Sequence, residues 1–550
     1  MSSVHLRDVT VAAAFERIAA QFTDSDWLEV LPETARVYGI EPRRWRYADA
    51  AHEIARLQRR YASAGYGHGH RAGLLLLNRP EFLLHWIALN GLGVSIVPIN
   101  PDWRSAELEY LIGHSEISVV ATLPERVTDL TAAARATGRN LAITGPEGEN
   151  IPPATGPPPL AGRAPGPDTE CALLYTSGTT GRPKGCILPN EYFLWAGQWY
   201  AEIGGLCEVR PNQERMITPL PLTHMNALAY SAMCMMLTGG CLILVDRFHP
   251  GSWWDSVRAA NATIIHYLGV MPAMLLGAEP RESDRNLPVR FGFGAGVNAR
   301  HHAIFEQRFG FPLLEAWAMT ETGAGAVMIA NHEPRQVGTA CFGRAEAGID
   351  FRIVDDTGQD AATGGPGELW VRRKGEVPRF GFFAGYLKDE TATDEAWAGG
   401  WFHTGDLVSC DADGQFHFID RKKNVIRRSG ENISAVEVES VLSQHPAVAA
   451  VGVSAVPDAV RGDEVFASIV LRPAQRPRSA DDEAATAREI VAFCLARLAY
   501  FKAPGYVAFC EKLPLTPTEK IQRSLLKQSG ESRLSDGQCM DLRDLKRRST

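Results

Sequence analysis

A strand-like segment that runs directly into a loop rich in glycine and hydroxyl side chains constrains this chain more than any other feature. Leu173, Leu174 and Tyr175 indicate the end of a buried strand, and the loop that follows reaches Lys184. Glycines let the backbone turn tightly and bring its N–H groups close to an anion, while short hydroxyls and a lysine add donors and positive charge. The residues that we expect to hold a polyphosphate are Thr176, Ser177, Gly178, Thr179, Thr180, Gly181 and Lys184.

This loop differs from the common nucleotide-binding loop. That loop requires Gly-x4-Gly-Lys-Ser/Thr, whereas here the order is Gly178-x-x-Gly181-x-x-Lys184, and Gly185 stands where the magnesium-binding hydroxyl would be. A surface turn of the same composition is the alternative, because short motifs match by chance. The loop by itself therefore indicates a phosphate site and no particular class of enzyme.

The composition is that of an ordinary globular protein with more than one domain. The chain has 550 residues, of which 45% are hydrophobic and 22% charged. Its net charge of −8 gives no general attraction to nucleic acid. The ten cysteines form no Cys-x-x-Cys pair, so we expect neither a disulfide framework nor a zinc site, and a reducing cytoplasm fits best. No apolar run approaches membrane-spanning length, so we expect no membrane insertion.

Strand-like and helix-like segments alternate along much of the chain. Residues 71–77 and 94–98 resemble buried strands around a helix at 81–92, which is typical of parallel strands with crossover helices. Turn glycines at 358–373 indicate an antiparallel unit. A charged run at 420–424 indicates a linker. We therefore expect an α/β protein with a large N-terminal domain of layered α/β subdomains (1–420), a small mobile α+β C-terminal domain (421–530) and a polar, frayed tail (531–550).

Several further motifs follow the loop. They are Pro-Leu-Thr-His at 221–224, Gly-Ala-Gly-Val-Asn at 294–298, Trp-Ala-Met-Thr-Glu at 317–321, Gly-Glu-Leu at 367–369, Trp-Phe-His-Thr-Gly-Asp-Leu at 401–407, Ile-Asp-Arg-Lys-Lys at 419–423, Ser-Gly-Glu-Asn-Ile at 429–433 and Pro-Leu-Thr-Pro-Thr-Glu-Lys at 514–520. With the loop, they resemble in type and order the motifs of the adenylate-forming enzymes, which include acyl-CoA synthetases, stand-alone adenylation domains and luciferases. The resemblance covers about residues 15–526, and residues 421–439 and 498–502 are most similar to the carnitine/crotonobetaine-type CoA ligases.

The resemblance implies an ATP- and Mg²⁺-dependent ligase that joins a small-molecule carboxylic acid to coenzyme A. The reaction would pass through an acyl-adenylate and release pyrophosphate and AMP. Two alternatives stay open: a stand-alone adenylating enzyme that loads an acyl carrier protein, and a catalytically silent acyl-AMP-binding protein. The identity of the acid and the oligomeric state, monomer or homodimer, also stay open.

The resemblance assigns the nucleotide and the metal to five motif residues. Glu321 would hold Mg²⁺, which prefers oxygen ligands, and Thr176 would be the second metal-site residue. Thr320 would donate to the α-phosphate. Trp317 takes the place of the family's usual Tyr and would pack against adenine. Asp406 would accept hydrogen bonds from both ribose hydroxyls, because one carboxylate has two acceptor oxygens.

Arg421 would join Asp406 at the ribose and phosphate. Ala295 and Gly296 would form a backbone wall on the adenine side. The run Gly294-Ala-Gly-Val-Asn-Ala299 also imitates the dinucleotide fingerprint, which is the weaker interpretation here because the fingerprint is not specific alone.

His224 would lie between the acyl pocket and the α-phosphate. As a lone histidine it is equally compatible with a core position. Thr223-His-Met225 lacks the Phe-Asp with which amino-acid-adenylating domains hold an ammonium group, which argues against an amino-acid substrate. The pocket residues that the resemblance implies are Met225, Asn226, Tyr230, Gly294, Met319 and Gly323, a mainly apolar and adaptable wall.

Lys520 would stabilise the charge that develops between the acid and the α-phosphate, although Glu519 stands where the family has Gly. For thioester formation the family swings its C-terminal domain about a hinge, which corresponds to Lys423. Gly430 would then let the pantetheine pass without a Cβ in the way. The residues that we expect at the hinge and at CoA are Lys423, Arg427, Arg428, Ser429, Gly430 and Glu431.

Overall fold

A computed structural model gives the structure of the chain. It describes residues 9–546, apart from residues 163, 177–181, 298, 356–357, 422–425, 434, 478, 515–520 and 522. The strands, in chain order, are β1 (Asp26–Val30), β2 (Arg43–Arg46), β3 (Arg71–Leu75), β4 (Ser95–Pro98), β5 (Val119–Thr122), β6 (Ala142–Thr144), β7 (Glu170–Thr176), β8 (Lys184–Pro189), β9 (Arg215–Thr218), β10 (Cys241–Leu244), β11 (Ile264–Leu268), β12 (Phe291–Ala295), β13 (Leu313–Trp317), β14 (Met328–Ile329), β15 (Ile349–Val354), β16 (Gly367–Arg373), β17 (Gly385–Tyr386), β18 (Phe402–Cys410), β19 (Phe416–Arg421), β20 (Ile426–Arg428), β21 (Glu431–Ile433), β22 (Val448–Asp458), β23 (Gly462–Leu471), β24 (Tyr506–Phe509) and β25 (Met540–Asp541).

The α-helices, in chain order, are α1 (Val11–Gln21), α2 (Pro32–Tyr38), α3 (Tyr47–Ser63), α4 (Pro80–Asn90), α5 (Ser105–Ser115), α6 (Val127–Ala136), α7 (Asn190–Glu202), α8 (Met233–Thr238), α9 (Trp253–Ala259), α10 (Val270–Leu276), α11 (Ala299–Phe309), α12 (Glu390–Ala396), α13 (Ala435–Leu442), α14 (Ala480–Leu495) and α15 (Arg523–Ser535). A π-helical segment, Asn226–Ala232, leads directly into α8. Within the described residues, no helix is long and apolar enough to span a membrane.

The chain divides into two compact units. The first comprises residues 1–101, 112–175 and 185–419, and the second comprises residues 102–111, 176–184 and 420–550. The expected α/β class, with a large N-terminal domain and a small C-terminal one, is confirmed.

Two mostly parallel sheets organise the first unit. One has the strand order β14-β13-β12-β11-β9-β10-β1-β2, and the other β17-β8-β7-β4-β3-β5-β6. Strands β3 and β4 pair in parallel around α4, so the predicted strand–helix–strand unit is confirmed. A continuous apolar core contains residues from both sheets and from α1, α4, α7 and α8. The sheets are thus covered by helices, as parallel sheets require.

A third, antiparallel sheet of the order β15-β16-β18-β19 confirms the antiparallel unit expected near 358–373. Its strand β18 pairs with β16 through Gly367–Val408 and Glu368–Leu407, and the register shifts before Trp370–His403. This irregularity falls on residues 404–406. A β-bulge of this kind re-aims the side chains that follow it.

The second unit contains an antiparallel hairpin, β22 and β23, extended by β20 and β21 on one side and by β24 and β25 on the other. The prediction of a frayed tail over 531–550 is wrong up to Lys546. Helix α15 continues to Ser535, β25 pairs with β24, and the Lys546 ammonium is buried against Glu464. Ion pairing within the unit therefore orders a segment that its polar composition alone did not mark as folded.

Candidate active site

The predicted phosphate loop joins two adjacent strands of the seven-stranded sheet. As predicted, β7 is a strand with a buried middle, residues 171–174; it ends at Thr176, and β8 begins at Lys184. Both residues are half-buried. The loop residues Ser177, Gly178, Thr179, Thr180 and Gly181 lie outside the described residues. The far end of the loop is held by Tyr110, whose hydroxyl donates to the Pro183 carbonyl over 2.9 Å.

Glu321 is fixed by groups that the motifs do not contain. The residue is 7% exposed, and its Oε1 accepts a hydrogen bond of 3.0 Å from the Tyr386 hydroxyl. Tyr386 lies on β17, which pairs antiparallel with β8. The Glu321 carbonyl accepts from the backbone N–H of Phe383 over 2.9 Å, and the Thr320 carbonyl accepts from the Tyr192 hydroxyl over 2.9 Å. Both the side chain and the backbone of this motif are therefore held in place.

Glu321 offers a hard cation one protein carboxylate. Within the described portion of the chain, no group of three or more His, Cys, Asp or Glu could hold a metal. A carboxylate and water or phosphate oxygens satisfy Mg²⁺, which is commonly bound through one or two carboxylates plus substrate phosphates. The residues present therefore fit a Mg²⁺ ion that is bound together with a nucleotide.

Trp317 and Asp406 form a buried pair. The indole Nε1 donates to Asp406 Oδ2 over 2.9 Å, and the two residues are 6% and 1% exposed. The Trp317 ring stacks on Phe342, with 6.0 Å between the ring centroids. The bulge in β18 places Asp406, because the Thr404 hydroxyl accepts from the Asp406 N–H and donates to the Leu369 carbonyl.

The glycine-rich run at 294–297 is anchored by a carboxylate that the motifs missed. Glu315 accepts hydrogen bonds of 2.9 Å from the backbone N–H groups of Gly296 and Val297. A third bond comes from the Tyr267 hydroxyl over 3.1 Å, and burial raises the pKa of Glu315. Gly294 must be glycine, because a Cβ there would lie 2.2 Å from the Tyr267 carbonyl oxygen. This glycine serves strand packing, whereas the first glycine of the dinucleotide fingerprint serves a tight turn.

Three of the residues expected at the acyl pocket, Met225, Asn226 and Tyr230, lie in or directly before the π-helical segment. Asn226 is its first residue, and Tyr230 lies within it and donates to the Gly323 carbonyl over 3.0 Å. Gly323 has φ +48°, and a Cβ there would lie 2.3 Å from the Tyr192 ring. His224, Met225, Asn226 and Met319 are all half-buried. The sequence predicted an apolar run here but not the π-helix, a form that occurs often at functional sites.

Glu346, a carboxyl residue near this wall, was not predicted from the sequence. Glu346 Oε1 accepts a hydrogen bond of 2.6 Å from the Trp199 indole, and the Trp199 ring lies 5.6 Å from that of Tyr230. Burial raises the pKa of Glu346, and burial together with the Glu346 charge raises the pKa of Tyr230. A carboxyl group that no motif contains therefore lies near Tyr230.

In the second unit, the residues expected at CoA surround a tight hairpin turn. Ser429 and Gly430, with φ +51° and +87°, join β20 to β21, as a two-residue turn with two positive φ angles does. Glu431, the first residue of β21, is half-buried, and Arg427 is exposed. Arg428 is 2% exposed, and its Nε donates to the Glu464 carboxylate over 2.8 Å. The guanidinium that was expected at CoA is therefore already paired with a carboxylate. Lys423, Lys520 and the side chain of Arg421 lie outside the described parts.

The residues expected at adenine, ribose, metal and acyl group thus belong to the first unit, apart from Thr176 and Arg421. Thr176, Lys184 and residues 427–431 belong to the second. Tyr110, Tyr192, Glu315 and Tyr386 were missed because no local pattern links them to the motifs that they support.

Comparison with known proteins bears on the family and the fold. The sequence profile of the AMP-binding enzyme family matches residues 25–387, and that of the AMP-binding enzyme C-terminal domain matches residues 437–520. A sulfoacetate–CoA ligase of Cupriavidus necator is 31% identical, over 94% of this chain and 96% of that protein. A crotonobetaine/carnitine–CoA ligase of Shigella sonnei is 29% identical, over 88% of this chain and 93% of that protein. Among solved structures, an o-succinylbenzoate CoA synthetase of Bacillus subtilis has the same fold, with a TM-score of 0.79, 24% identity and coverage of 95% of this chain and 99% of that one.

Proposed function

The chain belongs to the AMP-binding enzyme family, and from this premise we propose how its residues divide the work of a carboxylic acid–CoA ligase. The enzyme is an AMP-forming ligase that works through an acyl-adenylate. In the first step a carboxylate oxygen bonds to the α-phosphorus of ATP, and pyrophosphate leaves. In the second step the CoA sulfur bonds to the acyl carbon, AMP leaves, and the thiol proton passes to solvent. Both relatives named above are CoA ligases. This argues against the two alternatives, a carrier-loading enzyme and a silent acyl-AMP-binding protein.

The observation that carries the assignment of the nucleotide site is the buried Trp317–Asp406 pair. A carboxylate with two acceptor oxygens suits the vicinal hydroxyls of ribose, and the indole N–H fixes its orientation before the nucleotide arrives. Arg421 joins it at the ribose and phosphate. Ala295 and Gly296, which Glu315 holds in place, form the adenine-side wall.

Glu321 is the protein carboxylate for Mg²⁺, and Thr176 is the second residue at the metal. When bound, the ion supplies charge that neutralises the phosphates. Tyr386 keeps the Glu321 carboxylate aimed, because its hydroxyl can donate to one carboxylate oxygen only. Thr320, with its carbonyl fixed by Tyr192, donates its hydroxyl to the α-phosphate. The loop residues 177–181 and Lys184 hold the remaining phosphates.

Lys520 acts in the first step, adenylate formation. Lys423 acts in the domain movement that precedes the second step, thioester formation. A cationic tip at the developing charge stabilises the transition state more than the ground state. Lys423 is the hinge, and Gly430 lies at a turn where the absence of a Cβ leaves room for the pantetheine. Arg427, which is exposed, is the better candidate of the arginine pair for CoA phosphates, because Arg428 is paired with Glu464.

The substrate is a small-molecule carboxylic acid, received by the wall that contains His224, Met225, Tyr230 and Met319. We place the enzyme in the cytoplasm. All ten cysteines lie within the described residues as free thiols, and seven of them are buried, which suits a reducing compartment.

A panel of carboxylic acids assayed for pyrophosphate release, with and without CoA, tests the proposed function. At least one acid should release pyrophosphate and then give a CoA thioester. Lys520→Ala should abolish pyrophosphate release, yet still convert acyl-adenylate that is supplied directly. Lys512→Ala is the matched control, since Lys512 is an exposed lysine of the same segment and should leave both half-reactions intact. Equal loss of both half-reactions in Lys520→Ala would contradict the role of Lys520.

A further inference from the structure

A buried polar network backs the acyl wall in the first unit. We call it the His266 network; its members are Tyr200 on α7, Asn226 and Ser231 on the π-helical segment, and His266 on β11. Tyr200, Ser231 and His266 are fully buried, whereas Asn226 is half-buried. The His266 ring stacks on Phe293, with 4.9 Å between centroids and 23° between planes, and this contact holds the imidazole in one orientation.

The contacts of the imidazole fix where its single proton lies. Burial lowers the pKa of His266 to about 3, so the ring is neutral and carries one N–H. Its Nδ1 lies 2.8 Å from both Ser231 Oγ and Asn226 Oδ1. The Ser231 hydroxyl donates its own hydrogen to the Asn226 backbone carbonyl, so both neighbours of Nδ1 are acceptors. The proton is therefore on Nδ1, and Nε2 accepts from the Tyr200 hydroxyl over 3.0 Å.

This tautomer of His266 determines the orientation of the Asn226 side-chain amide. Its Oδ1 accepts from His266, so its Nδ2 group, with two N–H donors, faces away from the network. Among the residues that the structure describes, none accepts a hydrogen bond from Asn226 Nδ2, and the residue is only half-buried. Asn226 follows His224 by two residues, at the start of the π-helical segment that forms the expected acyl wall. Asn226 therefore has two N–H donors at a position that we expect to line the acyl pocket.

We propose that Asn226 selects acids whose body carries an uncharged acceptor oxygen, a carbonyl or a hydroxyl, over purely aliphatic acids of the same length. The inference rests on the proposed ligase function. A site built to hydrogen-bond a substrate group rejects the analogue that lacks it, because its own polar group is then left unpaired.

An uncharged acceptor suits this wall better than a second carboxylate or a sulfonate. No Lys or Arg among the described residues hydrogen-bonds to the His266 network, and a buried anion without a cationic partner is costly.

The test compares matched acids in the pyrophosphate-release assay: 4-oxopentanoate, 4-hydroxypentanoate and 5-oxohexanoate against pentanoate and hexanoate, with succinate and 3-sulfopropanoate as charged-tail acids. For the wild type, kcat/KM for at least one oxo or hydroxy acid should exceed that for its aliphatic counterpart by about 10-fold or more. Asn226→Leu, close in size and apolar, should bring that ratio to about 1 while the KM for ATP stays unchanged.

Tyr200→Phe tests the positioning role without altering the acyl wall. The Nε2 acceptor then has no donor, the proton is free to change nitrogen, and the ratio should fall although Asn226 is intact. Tyr61→Phe is the matched control, because Tyr61 is a fully buried tyrosine that contacts another buried histidine, His85, over 2.8 Å. It should keep the wild-type ratio.

Each outcome bears on the inference. Equal turnover of oxo and aliphatic acids, an unchanged ratio in Asn226→Leu, or a preference for the charged-tail acids would overturn it while leaving the ligase function in place. A panel on which no acid releases pyrophosphate would overturn both the inference and the proposed function.

Discussion

Replacement of Trp317 by Phe should weaken the use of ATP without affecting the acid. The change keeps an aromatic face beside Phe342 but removes the N–H that donates to Asp406 over 2.9 Å. Hydrogen bonds to a charged group are worth about 1.5–3 kcal/mol, and both partners are almost fully buried here, so solvent cannot replace the lost donor. At about 1.4 kcal/mol for each factor of ten, kcat/KM for ATP should fall about 10- to 100-fold.

The assay is pyrophosphate release with ATP and with 2′-deoxy-ATP, at saturating acid. Wild-type enzyme should prefer ATP clearly, and Trp317→Phe should narrow that preference, because a mobile Asp406 no longer distinguishes the two ribose hydroxyls. Phe342→Leu is the control: it removes the stacking partner and keeps the indole N–H, so the ATP preference should persist. A folded Trp317→Phe enzyme with kcat/KM for ATP and an ATP preference both within about 2-fold of wild type would refute the reasoning.

Two further perturbations act on other buried groups. Tyr386→Phe removes the hydroxyl that orients Glu321. About 10-fold more Mg²⁺ should then be needed for half-maximal pyrophosphate release, while the KM for the acid stays unchanged. An unchanged Mg²⁺ requirement would exclude a positioning role for Tyr386. Burial lowers the pKa of His85 from 6.5 to about 4, so between these values the unfolded chain binds more protons and stability falls as the pH falls. Lowering the pH from 7.5 to 5 should reduce the free energy of unfolding of the wild type by about 2 kcal/mol through this residue. Urea unfolding at the two pH values should show a loss that is smaller by about this amount in His85→Gln. An equal loss of unfolding free energy in both proteins would contradict the assignment.

The parts of the fold that could be predicted from the sequence are those with local patterns. The end of β7 and the unit β3–α4–β4 follow from apolar runs of strand and helix length. The π-helical segment could not be predicted, because an apolar run such as Asn226–Ala232 has the same appearance in an α-helix. Motifs identified Glu321, Trp317 and Asp406, but neither Tyr386 nor the hydrogen bond between Trp317 and Asp406. Tyr386 is 65 residues from Glu321 along the chain and Trp317 is 89 residues from Asp406, and only sheet pairing and the β18 bulge bring these partners into contact.

The neighbours Arg427 and Arg428 illustrate why residue type alone does not assign a role. Both belong to one basic run, and on residue type alone both are expected at CoA. In β20, however, successive side chains point to opposite faces of the strand, so one arginine is exposed and the other is 2% exposed against Glu464. A buried carboxylate requires a cationic partner, and Arg428 supplies one within the same unit. Had the short strand been recognised, its period of two would have predicted that only one arginine of the pair can meet a ligand.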